Sequence, residues 1–289
     1  MNLNEPESTL PLDEPVAIAE QSSTFPKIKD LVWLFLVFFL YNIIFGIAYG
    51  IFLLLFDNYG IKSTLFKSLA SFILYVAIMS CTIMYAIKNG KRREDHTFRI
   101  RFNSVPIWLA PVVIISTTAL VVLLTRISAL IPMPVSVQKF FEGMFTKDFF
   151  SIVTLVIAAP ILEEILCRGI ILRGLLKNYA PNYAILISAV FFAVLHMNPW
   201  QAVPAFFGGL FIGWVYYKTQ SVIPGMIIHA TINGLATLLL FFPKYQNDFL
   251  TVLGRSYYIL LLVLSVLVLS TGCIIIQKRI STVSETTGQ

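Results

Sequence analysis

The sequence predicts an all-α, polytopic transmembrane helical bundle of about eight spans. Three observations carry this. Of 289 residues, 57% are hydrophobic and only 12% charged, against roughly 25% charged in an average soluble domain. The apolar residues fall in runs close to the ~20 residues that a spanning helix needs. The basic residues gather in short segments between those runs, where they set orientation. The net charge of +6 is therefore no sign of nucleic-acid binding, and no nucleic-acid partner is expected.

Residues 1–27 are polar, acidic and rich in Ser and Pro, which predicts a disordered cytoplasmic tail without a cleavable signal peptide. The bundle is expected over residues 28–277, with the functional core at about 149–240, and residues 278–289 form a short polar tail. The first span is about Leu31–Phe56. Its Gly46 and Gly50 make a small-xxx-small pair suited to close helix packing. The second is about Ser68–Ile87, followed by the densest basic cluster of the chain, Lys88 to Arg101, which contains His96. The third is about Val105–Thr125, and residues 132–148 read as a loop.

The fourth span starts near Phe149, continues by helical spacing through Lys177, and breaks at Tyr179-Ala180-Pro181-Asn182. The fifth is about Asn182–Met197, closed by Asn198-Pro199. The sixth is about Trp200–Tyr217, the seventh about Ser221–Phe242, and the eighth about Tyr257–Ile276. Lys and Arg favour the side of the 88–104 loop by roughly two to one, which places both termini in the cytoplasm. Cys81, Cys167 and Cys273 all lie in apolar segments, without disulfide or zinc spacing. No internal repeat suggests a transporter.

The fourth span carries Glu163, Glu164 and Arg168 within six residues. Each ionisable group at the centre of a membrane helix costs about 2.5–3.5 kcal/mol. Glu164 and Arg168 are four apart, with the acid N-terminal, so they share a face and neutralise each other. Glu163 is turned about 100° away and is the carboxylate left for another task. Two histidines, His196 and His229, also lie inside apolar spans. Glu163 and His196 are each about 16–17 residues from the turn near residue 180, hence at one depth, about 25 Å from it. They are expected to face each other. His229 and Asn233 share a helical face, as do Phe192 and His196. A carboxylate and an imidazole on one water make a general base. A second imidazole and an amide are suited to holding a carbonyl and the oxyanion that forms from it.

Glu163-Glu164-x-x-x-Arg168, then Phe192-x-x-x-His196, then His229-x-x-x-Asn233 resembles the motif set of the CAAX-protease and bacteriocin-processing (Abi) family of intramembrane endopeptidases. The three motifs stand in order over about residues 149–240. The resemblance implies an eight-span helical core and water-mediated hydrolysis of a peptide bond in a membrane-associated or lipidated protein or peptide. It implies that Glu163 and His196 activate the water and that His229 and Asn233 form the oxyanion pair, with Glu164, Arg168 and Phe192 supporting. The setting is an integral protein of a bacterial plasma membrane. No cofactor is favoured. Zinc is the alternative, and Glu163, His196 and His229 would hold it, since catalytic zinc takes three such ligands plus water. Against it, no His-Glu-x-x-His helix is present. A non-catalytic bacteriocin-immunity or scaffold protein is the reading from another class, in which the same polar residues only hold helices together.

Overall fold

Helices account for almost all of the regular structure in a computed structural model that describes residues 24–58, 63–94, 98–144, 147–242 and 253–280. In chain order they are α1 (Ile28–Asn58), α2 (Thr64–Glu94), α3 (Leu109–Ser128), α4 (Val135–Met144), α5 (Phe149–Asn178), α6 (Pro181–Leu195), α7 (Pro199–Thr219), α8 (Ile223–Leu239) and α9 (Arg255–Arg279). Five of these, α1, α2, α3, α5 and α9, are long and apolar enough to cross a membrane. The two that carry the intramembrane histidines, α6 and α8, are shorter apolar helices of 15 and 17 residues. At 1.5 Å per residue they fall short of a ~30 Å hydrocarbon core.

Local chemistry explains most boundaries. Pro181 sits in the first turn of α6, where its missing N–H costs nothing. Met197 takes a left-handed conformation at φ 53°. Asn198 then caps α7 by accepting from the Gln201 N–H at 2.9 Å, and Pro199 occupies the first helical position. Gln220, at φ 50°, ends α7 in the same left-handed way.

The central helix α5 is not a regular α-helix. It contains π-helical turns at Thr154–Ala158 and Ile165–Leu172. Pro160 accounts for the first. The Ala159 N–H bonds five residues back, to the Thr154 carbonyl. Pro160 has no N–H to offer to Leu155, so the Leu155 carbonyl is left without a partner inside its own helix.

Small residues set the helix approaches around α5. A Cβ on Gly209 of α7 would lie 3.3 Å from the Ala189 backbone of α6, and one on Gly225 of α8 would lie 3.0 Å from Glu164 Oε2. On the far side, Gly272 of α9 packs onto Ser116 of α3.

Four expectations need correction. Residues 132–148 are not all loop, because α4 forms within them. Gly46 and Gly50 mark no close helix contact among the described residues, where nothing lies within 4 Å of a Cβ built on either. Residues 24–27, assigned to the tail, are packed. Phe25 is buried, its N–H donates to Glu94 Oε1 at 2.9 Å, and Thr24 Oγ1 donates to Asn178 Oδ1. Phe25 is apolar and has a polar backbone partner waiting at the end of α2, so the chain docks three residues before α1 begins. Finally, α9 continues past residue 277 to Arg279. The rest of the N-terminal tail, His96 and residues 281–289 lie outside the described residues.

The end of the bundle where α2 and α5 stop is held by ions. Glu94 accepts from Arg173 at 3.0–3.1 Å and from Lys177 at 2.7 Å. Arg173 stacks on Phe98 with its guanidinium carbon 4.3 Å from the ring centroid. Asp30 takes a bidentate pair from Arg93 at 2.7 and 2.9 Å.

Candidate active site

The site is assembled from α2, α5, α6, α7 and α8. Glu164 and Arg168 form the expected pair across one turn of α5, at 2.9 Å and with both side chains fully buried. Arg168 also donates to the Gly209 carbonyl at 3.1 Å. Its guanidinium carbon lies 4.7 Å from the Phe192 ring centroid. Thus one cation is held by a carboxylate, a carbonyl and an aromatic face from three helices.

His229 enters from α8, and its two nitrogens have different neighbours. Nδ1 lies 3.0 Å from Glu164 Oε1, and Nε2 lies 3.8 Å from Glu163 Oε2. A carboxylate only accepts, so Nδ1 carries the proton in that contact. In the neutral ring Nε2 is then a lone pair. Only the imidazolium can offer an N–H from both nitrogens.

Glu163 has its other oxygen occupied. Tyr75 Oη, from α2, donates to Glu163 Oε1 at 2.7 Å. The carboxylate is thus clamped on one side and turned to His229 on the other. The glutamate next in sequence is completely buried, whereas the Glu163 side chain keeps 19% of its surface exposed.

His196 caps the C-terminal end of α6. Its Nδ1 hydrogen-bonds the Phe192 carbonyl at 2.9 Å, an acceptor, so the neutral ring leaves Nε2 free. The Phe192 ring stands edge-on to both imidazoles, 5.1 Å from His196 and 5.4 Å from His229. Phe192 is therefore the spacer between them.

Asn233, one turn beyond His229, donates to the orphan Leu155 carbonyl at 2.8 Å. A primary amide has two N–H donors, so one anchors α8 to the π turn and one remains.

A cleft of about 540 Å³ has Phe192, His196, His229 and Asn233 in its wall, with Trp200, Gln201 and Arg126 among its other lining residues. Its lining is mainly apolar with a few polar groups, as ligand sites are.

Among the described residues Glu163 and His196 share no direct hydrogen bond. The polar contacts of Glu163 are with Tyr75 and His229, and the hydrogen bond of His196 goes to Phe192. Equal depth in a hairpin fixes height only. Azimuth is a separate matter, and the π turns of α5 depart from the ideal helix on which equal depth is reckoned. Tyr75 and Gly225 were missed. A tyrosine in mid-span needs a partner for its hydroxyl, which was the available signal, although nothing in the spacing names that partner. Among the described residues no three His, Cys, Asp or Glu side chains are placed to hold a metal ion together. Cys167 is fully buried in the core.

Comparison with known proteins falls on the same segment. Residues 145–235 match the family model described as type II CAAX prenyl endopeptidase Rce1-like. A stretch of 78 residues is 33% identical to the UPF0177 protein YxdF of Lactococcus lactis subsp. lactis (strain IL1403), covering 27% of this chain and 42% of that protein. No solved structure matches. The resemblance carried by the three motifs therefore holds over the segment that contains them.

Proposed function

We propose that this integral membrane protein, Rce1-like over residues 145–235, is an intramembrane endopeptidase that hydrolyses a peptide bond of a membrane-associated or lipidated substrate with an activated water. The observation that carries the proposal is the contact of Glu163 with His229 beside a cleft whose wall also holds His196 and Asn233.

Glu163 is the general base. It takes a proton from water as the oxygen attacks the scissile carbonyl carbon, and the C–O π bond breaks to leave a tetrahedral oxyanion. Tyr75 fixes Oε1, so Oε2 is the oxygen that accepts. Two carboxylates and one guanidinium leave the cluster one positive charge short. An imidazolium at His229 supplies the balancing charge. With the proton on His229, Nδ1–H points to Glu164 and Nε2–H is offered to the oxyanion, together with the second amide N–H of Asn233. The C–N bond then breaks and the leaving amine takes the proton that came from water. His196, with Nε2 free and Nδ1 tied back to Phe192, is suited to orient the attacking water or to relay that proton.

The test uses the full chain purified in detergent and a lipidated, internally quenched peptide. Cleavage by the parent and none by folded Glu163→Gln is the expected result. Equal cleavage by the two removes Glu163 as the base.

A further inference from the structure

The two ends of the bundle differ in access to the site. The cleft is walled by the last turn of α3 (Thr125, Arg126, Ala129), the first turn of α7 (Trp200, Gln201) and the start of α9 (Tyr258). These helix ends lie on one side of the bundle. His196 is on the same side, one residue before the α6–α7 turn.

The opposite end is closed. The segment 98–103 folds over the α7–α8 turn: the Val222 N–H donates to the Arg101 carbonyl at 3.1 Å, and Ser221 Oγ donates to the Asn103 carbonyl at 2.7 Å. Ser221 and Val222 are completely buried. Ile100 sits against Gly169 of α5, and Phe25 and Pro26 sit against Gly174. The Glu94–Arg173–Lys177 cluster lies at the same end. Among the described residues these layers cover the α7–α8 turn and the C-terminal end of α5.

The closed end carries the basic cluster, with Lys88, Lys91, Arg92 and Arg93 at the end of α2 and Arg99 and Arg101 in the connection that follows. Positively charged short loops stay in the cytoplasm. We infer that the cleft opens on the extracytoplasmic side of the membrane, and that the substrates are peptide segments presented at the outer face. This rests on the peptidase assignment above and narrows it. A lipidated C-terminus that remains in the cytosol meets the closed end, whereas a translocated or secreted peptide meets the cleft.

The test places single cysteines at the two ends of the full chain, expressed in intact cells. Ala129→Cys and, independently, Gln201→Cys sit in the cleft wall, and Ser104→Cys sits exposed on the closed end. The parent, whose Cys81, Cys167 and Cys273 lie in helices, gives the background. A membrane-impermeant maleimide should label both cleft variants from outside, and should label Ser104→Cys only after permeabilisation. Labelling should also stop peptide cleavage by the cleft variants once they are solubilised. Cleft labelling that needs permeabilisation, or that occurs from neither side, overturns the inference while leaving the peptidase assignment standing. If the solubilised parent cleaves no peptide, the peptidase assignment falls, and the labelling still reports which side the cleft faces.

Discussion

Two carboxylate clusters draw on successive stretches of α5, one on Glu163, Glu164 and Arg168 and the other on Arg173 and Lys177, and they are built to different ends. At Glu94 a single carboxylate meets Arg173, Lys177 and the Phe25 N–H. It has more positive charge around it than it needs. At the other cluster, Arg168 pairs with Glu164 alone, and His229 stands between Glu164 and Glu163. An ion cluster that only holds helices together can be saturated. A cluster that must accept and return a proton has to be left one charge short. The difference between a structural and a working ion group is therefore visible in the charge count before any chemistry is considered.

Substitutions can break this contrast. The largest expected effect is on Glu163. Glu163→Gln keeps the shape and the Tyr75 contact but cannot take a proton. Peptide cleavage should fall by up to about 10⁴-fold, with an unchanged melting temperature in detergent. Retained turnover would mean that the unsaturated cluster is not the base. Arg168→Ala should act on the fold instead. It strands a fully buried Glu164, and opening a buried pair costs about 3–5 kcal/mol. Glu94→Ala strands Arg173 and should cost a similar amount, yet any protein that remains folded should cleave at close to the parental rate. Thermal unfolding and specific activity of the two variants, measured side by side, check this. If Glu94→Ala loses turnover in the folded fraction, the two clusters are not separable.

His229→Ala and Asn233→Ala come next. Each should lower kcat by about 10²–10³ with KM nearly constant, because oxyanion donors act mainly in the transition state. Asn233→Ala should also lose stability, since the Leu155 carbonyl becomes an orphan at a cost of about 1–3 kcal/mol. A pure KM effect would move both residues from the reaction to substrate binding. Elemental analysis sharpens the same pair. The expected result is no stoichiometric zinc in the parent, and zinc present there but lost in His229→Ala would overturn the mechanism. The smallest effect is expected for Tyr75→Phe. It frees one oxygen of Glu163 without removing it, and kcat should drop by about tenfold, the loss of roughly one hydrogen bond's worth of positioning. No change would make Tyr75 a packing residue.

Much of this was legible in the sequence, and the rest was not for stated reasons. The limits of α5, the Glu164–Arg168 pair and the shared face of His229 and Asn233 follow from periodicity and from Pro181, which act over a few residues. Tyr75 meeting Glu163 joins positions 88 apart, and Glu94 meeting Arg173 joins positions 79 apart. No local spacing encodes such contacts. The common depth of Glu163 and His196 is reckoned on an ideal helix on both sides of the hairpin. Pro160 had already spoiled that ideal. Its effect on its own helix was readable, since a missing N–H displaces the hydrogen bonds around it. The direction in which the face would turn was not. Gly46 and Gly50 show the opposite error, a packing motif that no described residue of the chain approaches within 4 Å of a Cβ built on it.

The π turn at Thr154–Ala158 has a consequence in chain length. Such a turn is equivalent to one extra residue threaded into an α-helix without displacing either flank. The half of α5 before it and the half carrying Glu163 are thus out of phase by one position. Deleting a single residue between 154 and 158 should let the helix close into a regular spiral, a change that most transmembrane helices would not accept in their middle. Pro160 would still leave one carbonyl unpartnered, but four residues back instead of five, so the carbonyl to which Asn233 is tied would move and α8 would lose its lateral anchor to α5. Single-residue deletions scanned through the first half of α5 should therefore show a tolerant notch for membrane insertion at 154–158, where catalysis tolerates none.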